Sequence, residues 1–297
     1  MTALLLLLTC LVLGAIFGRC GPPPGLAHSL NWWVINIAVP ALVLRMIPTV
    51  QFSTRLWFLP AALWFELAFA WLLFEWLGRR LGWSRTRIGA LILCAGFSNS
   101  GFMGYPMIEA LRGREALGLA VIADQIGCFL ALATVGTAIT AMYAGRQVPL
   151  PQIVRRIVLF PSFVALVVAV AASLAGGFPD AVVQVLQRLG DTMSPLALFS
   201  VGLQFRLRLD RSQVLAAGSA LAFKMLLAPL LVYAGGVACG VTGEVLAVGV
   251  LQTAMAPMIS AAILAAQYEL EPRLANSVLG IGILLSLATV PLANAML

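Results

Sequence analysis

Apolar runs of membrane-spanning length recur along almost the whole chain, and no other feature constrains its fold so strongly. A helix of about 20 apolar residues crosses the hydrocarbon core of a bilayer. Such runs fall near 2–18, 30–47, 56–77, 88–108, 115–144, 154–176, 181–204, 212–238, 243–266 and 272–295. The segments between them are too short for a soluble domain. Of 297 residues, 62% are hydrophobic and 10% charged, where a soluble domain has roughly 45–50% and about 25%. The mean hydropathy is +1.02. No soluble core of this length could bury so much apolar side chain. The sequence therefore predicts an all-α membrane protein of ten transmembrane helices. It excludes a soluble enzyme, a DNA-binding domain and a secreted disulfide scaffold.

Charge gives the orientation. Of 18 basic residues, all but Lys224 are arginine, and they cluster between the apolar runs. Loops after the odd-numbered spans hold Arg19; Arg79, Arg80, Arg85 and Arg87; Arg146, Arg155 and Arg156; Arg206, Arg208 and Arg211; and Arg273. The opposite side holds Arg45, Arg55, Arg112, Arg114 and Arg188. Twelve against five predicts, by the positive-inside rule, both termini outside the cytoplasm. The net charge of +7 and a pI near 9.7 are then loop arginines rather than a nucleic-acid footprint. Met1 to Gly18 carries no charge, so it reads as a retained first span rather than a secretory signal, which needs a basic start. The five cysteines form no CxxC pair, and His28 is the only histidine. No metal centre or disulfide framework follows from them.

Three short correspondences divide the chain into halves. Asn36-Ile-Ala-Val-Pro40 matches Asp191-Thr-Met-Ser-Pro195 at an offset of 155, Tyr105-Pro106 matches Ala256-Pro257 at 151, and Ala123-Asp124 matches Ala275-Asn276 at 152. The reading is two repeats of five helices, 1–145 and 152–297, joined by a linker at 146–151. With an odd number of spans per half the second repeat must be inverted, an arrangement typical of secondary transporters.

Helix breakers then mark a site. The fourth span reads Gly96-Phe-Ser-Asn-Ser-Gly-Phe-Met-Gly-Tyr-Pro106, and the ninth holds Gln252-Thr253-Ala-Met-Ala-Pro257. Asn99 lies near mid-membrane, Gly101 and Gly104 weaken the helix, and proline removes a donor and clashes with the preceding turn. Irregular backbone at that depth is tolerated only where it is buried in protein or lines a cavity. A half-helix starting at Pro106 would present free N–H groups and a positive dipole end to an anion. The freed carbonyls, with Asn99, Ser98 and Ser100, would suit a cation or a hydroxyl.

The segment Asn99-Ser-Gly-Phe-Met-Gly-Tyr-Pro106, with Gly113 beyond it, resembles the Asn-x-Gly-x-x-Gly-x-Pro segment of the auxin efflux carrier family, which includes plant auxin carriers and bacterial malate or malonate permeases. The likeness spans the chain, including Pro40 and Pro257. It implies a fold similar to the sodium–bile acid symporters and proton antiporters, with broken helices 4 and 9 crossing. Helices 1, 2, 6 and 7 would be a scaffold, and helices 3–5 and 8–10 a moving transport domain. Asn99, Gly101, Gly104 and Pro106 would fall at the first crossover and Pro257 at the second. One departure stands out: Asp124-Gln125 occupies a stretch that is often rich in asparagine in relatives.

A charge near the bilayer centre costs about 2.5–3.5 kcal/mol on insertion scales and so marks function or a partner. Glu66 and Lys224 sit mid-span in repeat-related helices; they pair with each other, or Lys224 serves an anion. Asp124 and Asp191 are the remaining intramembrane acids. Asn36 and Asp191 precede Pro40 and Pro195 alike, and interhelical hydrogen bonding explains them as well as substrate contact does. The candidate substrate or ion ligands are Asn99, Ser100, Gly101, Gly104, Pro106, Asp124, Gln125, Lys224, Gln252, Thr253, Pro257 and Asn276. The expected function is secondary transport or facilitated passage of small carboxylates across the cytoplasmic membrane. The candidate coupling ions are H⁺ and Na⁺, no cofactor is expected, and the partners are the lipid bilayer and, in a homodimer, a second copy of the chain. The rival readings are an anion channel and an intramembrane protease. The protease lacks both a base for Ser98 or Ser100 and the Gly-x-Gly-Asp motif, since Arg188 precedes Gly190-Asp191.

Overall fold

The computed structural model describes residues 2–51, 53–146, 149–204 and 210–297, and every regular element among them is helical. In chain order these are α1 (Thr2–Arg19), α2 (Leu26–Thr49), α3 (Thr54–Leu81), α4 (Arg85–Gly96), α5 (Tyr105–Arg112), α6 (Arg114–Ala144) and α7 (Leu150–Val158). There follow α8 (Pro161–Leu174), α9 (Asp180–Gly190), α10 (Met193–Leu203), α11 (Val214–Ala238), α12 (Gly243–Thr253), α13 (Ile259–Gln267) and α14 (Pro272–Ala295). Five of them, α2, α3, α6, α11 and α14, are long and apolar enough to cross a membrane uninterrupted. The other expected spans are shorter or divided. The run 88–108 is split between Gly96 and Ser100, 181–204 between Gly190 and Met193, and 243–266 between Thr253 and Ile259. Arg206 and Arg208, counted above with the basic loops, lie outside the described residues, as do Gln147 and Val148 of the expected linker.

Proline widens helices here more often than it breaks them. Turns with i→i−5 spacing occupy Val34–Ala38, Ser100–Gly104 and Phe223–Leu227, and each ends two residues before a proline: Pro40, Pro106 and Pro229. The ring clashes with the carbonyl four residues back, and a widened turn relieves that clash without ending the helix. Pro106 therefore does not start the second half-helix, contrary to expectation. It sits in the first turn of α5, just after the widened turn, and the break lies earlier, at Phe97–Asn99.

Small residues set the packing. A Cβ on Gly14 of α1 would lie 2.9 Å from the Cα of Gly202 in α10, so the two backbones touch. In a bilayer, where apolar burial gives little drive, such close contact is a main source of helix association. The second half of α2 rests on α8 and α9, while α3 contacts α4, α6 and α12. Helix α4 is enclosed by α3, the end of α6, α13 and α14.

Candidate functional site

The two broken helices meet at their breaks. After α4 the chain is extended at Phe97 (φ −122°, ψ 125°), and before α13 it is extended at Met258 (φ −72°, ψ 130°). These segments run antiparallel, with Ser98 opposite Pro257. Asn99 N donates to the Ala256 carbonyl at 2.8 Å and Met258 N donates to the Phe97 carbonyl at 3.0 Å. Backbone groups that neither helix can satisfy thus satisfy each other, as they must away from water. Proline fits because the position opposite Ser98 asks for no N–H. Glycines permit the approach: a Cβ on Gly104 would strike the Gln252 side-chain amide, and one on Gly282 would strike the Pro257 ring.

Beside the crossing lies an ion pair sealed from solvent. Glu66 is 1% and Lys224 0% exposed, and the Lys224 ammonium contacts the Glu66 carboxylate. It also donates to Ser98 Oγ at 2.5 Å and to the Thr253 carbonyl at 3.2 Å, while Ser98 Oγ donates to Glu66 Oε2 at 2.9 Å. Of the two roles open to Lys224, pairing is the one its geometry serves. One side chain thereby ties α11 to α3 and to both helix breaks.

A second acid has no cationic partner among the described residues. Asp124 lies in a widened stretch of α6, Ala123–Phe129. Its carboxylate accepts from Ser100 Oγ at 2.5 Å, Tyr105 OH at 2.6 Å and Gln125 Nε2 at 2.8 Å. All three donors are neutral. Asp124 lines a cavity of about 360 Å³ that also reaches Asn99, Gln125 and Ser162. Asn99 Nδ2, Gln125 Oε1 and Ser162 Oγ are buried there without a partner. Each such atom costs on the order of 1–3 kcal/mol unless something fills its hydrogen bond. The walls are mostly apolar, with the Phe129 and Phe160 rings stacked at 4.0 Å, and among the described residues no Lys, Arg or His lines the space. Met258, Ile259 and Ser260 bring the start of α13 to the wall, where the first N–H groups of a helix have no partner within it.

Residues 22–293 match the membrane transport protein family, that of the auxin efflux carriers. The chain belongs to that family. It is therefore a multi-pass membrane protein of a transporter family. It is 28% identical over 280 residues to an uncharacterized transporter of Methanothermobacter thermautotrophicus, covering 91% of this chain and 89% of that one. It is 25% identical over 275 residues to an uncharacterized transporter of Methanocaldococcus jannaschii, covering 90% and 88%.

In this member of the family, only some of the predicted residues reach the cavity. Asn99, Gly101, Asp124 and Gln125 line it. Ser100 touches it through Asp124, while Gly104, Gln252 and Pro257 build the crossing behind it. Pro106 is buried in the first turn of α5. Thr253 is wholly buried and contributes its carbonyl to Lys224 and its hydroxyl to the Val250 carbonyl. Three expectations are corrected. Asn276 is exposed on α14, away from the cavity. Asp191 is not buried: the helix stops at Gly190, leaving Asp191 exposed and paired with Arg114. Asn36 is only partly buried, and its side chain donates to the Trp32 carbonyl of its own helix at 2.8 Å. Sequence reasoning missed Tyr105 as a donor, Ser98 as the hub of the ion pair, and the Phe129, Phe160 and Ser162 walls. No local pattern marks Ser162; it joins the cavity only through the packing of α8.

Proposed function

We propose that the chain carries small organic anions across the cytoplasmic membrane by alternating access, with Asp124 handling a proton in the same cycle. The observation that carries this reading is the cavity at the helix crossing, lined by three side chains that each keep a buried, unpartnered polar atom and by one acid without a cation among the described residues. Asn99 Nδ2, the Ser162 hydroxyl and the first N–H groups of α13 are the donors available to a carboxylate. No cationic side chain supports them, so the substrate charge and a charged Asp124 would repel at short range. A proton on one of the two removes that conflict, and anion and proton would then travel together. The aromatic wall favours monocarboxylates with an apolar body over malate or malonate, whose second carboxylate would have no partner.

The remaining architecture fits this reading as two inverted five-helix repeats, 1–145 and 152–297. α1, α2, α7, α8, α9 and α10, which make up spans 1, 2, 6 and 7, would form the scaffold. The helices that enclose the crossing would move against it. Both termini would lie outside the cytoplasm. The test is a thermal-shift screen of purified protein against aromatic and aliphatic carboxylates, with and without sodium, at two pH values, followed by uptake into proteoliposomes. A ligand that binds only the folded state raises its melting temperature by mass action. Stabilisation by an apolar monocarboxylate and saturable, proton-dependent uptake support the reading. No stabilisation by any carboxylate, or conductance of channel magnitude, would overturn it.

A further inference from the structure

The Lys224 ammonium has three N–H donors and meets three oxygens: the Glu66 carboxylate, the Ser98 hydroxyl and the Thr253 carbonyl. The three oxygens come from α3, the first break and the second break. A carboxylate, a hydroxyl and a main-chain carbonyl freed at a helix end are the hard oxygen ligands that alkali and alkaline-earth cations take. Thr253 is the last residue of α12, so the negative end of that helix dipole also points at the charge. Ser98 can offer a lone pair to a cation while its proton stays on Glu66, as it does toward the ammonium. The cluster contains one acid, so a single positive charge balances it.

We infer that Lys224 fills a monovalent-cation site built between the two helix breaks, its ammonium replacing an exchangeable sodium ion with one tethered to the chain. A tethered cation cannot leave during a cycle, so the wild-type protein needs no sodium to hold its crossing together. Cutting the side chain back to Ala would leave Glu66, Ser98 and Thr253 as three ligands, with room along the former stem for an ion and water. None of the four residues lines the cavity, so this inference stands whether or not the cavity carries an organic anion.

The experiment compares melting temperatures of purified wild type, Lys224→Ala and Glu66→Gln/Lys224→Ala in sodium chloride and in N-methylglucamine chloride at equal ionic strength. Wild type should melt at the same temperature in both salts. Lys224→Ala should be destabilised in N-methylglucamine and recover saturably with sodium. The double variant, without the acid, should show no sodium response. A Lys224→Ala protein equally stable in both salts would overturn the inference. So would one that aggregates in both salts while the uncharged double variant folds, because the orphaned carboxylate would then have been offered sodium and not taken it.

Discussion

Tyr105 links the linings of two cavities, its hydroxyl donating a 2.6 Å hydrogen bond to Asp124. Asp124 lines the larger space, while Tyr105 lines a second one of about 220 Å³ together with Glu109, Arg114 and Asp191. Beyond the second space Arg114 pairs with Asp191 and, at 3.2 Å, with Glu109, which also accepts from Ser194 at 3.3 Å. Helices α5 and α6 are thereby tied to α9 and α10 on the far side of the crossing. Under the alternating cycle proposed above, this layer would have to open.

Tyr105→Phe keeps the ring and removes one of three donors to Asp124. Proteoliposome uptake should persist with a shifted pH dependence. Tyr105→Ala removes the ring as well and should join the two cavities, giving a leak that no longer saturates. Equal, saturable uptake by Tyr105→Ala and wild type would show that Tyr105 does not keep the cavities apart.

Two glycines at the crossing leave a Cβ no free space and a third leaves room for one: a Cβ on Gly282 meets the rigid Pro257 ring, and one on Gly104 forces the Gln252 amide to shift. Gly104→Ala would collide with Gln252, and Gly282→Ala with Pro257, whereas the nearest atom to a Cβ on Gly101 is Asp124 Oδ1 at 3.6 Å. Overpacking a dense interior costs about 1–3 kcal/mol, so the first two variants should melt well below wild type. Gly101→Ala should melt close to it. Three equal melting temperatures would mean the two breaks can part without loss.

How far the sequence carried this picture depends on what each step required. Hydropathy and loop arginines need no tertiary knowledge, and the glycines, Asn99 and prolines located the crossing to within a turn. The position of the first break was misjudged because Pro106 can be absorbed by a widened turn, leaving Phe97–Asn99 to form the extended piece. The constant offset of the repeats pointed to Asn276 as the mate of Asp124, yet an offset does not fix a helix face. Asp124 lies in a widened turn of α6, Ala123–Phe129, while α14 carries Asn276 in unbroken α-helix, so the two helices do not present equivalent faces. Asp124 consequently faces the cavity and Asn276 the outside. Glu66 and Lys224 were placed at matching depths, which allowed their pairing but could not choose it over an anion contact.

Orientation can be checked directly. If the twelve arginines of the odd-numbered loops face the cytoplasm, as proposed, a periplasm-active reporter fused after Leu297 should be active, and a cytoplasm-active one silent. A cytoplasmic C-terminus would overturn this orientation, and together with an N-terminus outside it would also remove the even span number and the inverted relation of the halves. The mechanism would then need a different topology.

The coupling role of Asp124 gives the sharpest test. Among the described residues its carboxylate is held by Ser100, Tyr105 and Gln125, and no cationic side chain lines the cavity beside it. Asp124→Asn keeps the size of the side chain and one acceptor oxygen but cannot gain or lose a proton. It should fold and bind carboxylate, since the anion no longer faces a second negative charge. It should also exchange substrate across the membrane. Accumulation driven by a pH gradient should disappear, because no group in the cavity would then carry the proton. The measurement is uptake into proteoliposomes with and without an imposed gradient, paired with counterflow at equal pH. Counterflow retained while gradient-driven uptake is lost assigns the proton to Asp124. If the variant accumulates substrate with unchanged pH dependence, Asp124 is a packing acid whose three hydrogen bonds serve only to hold α5 against α6.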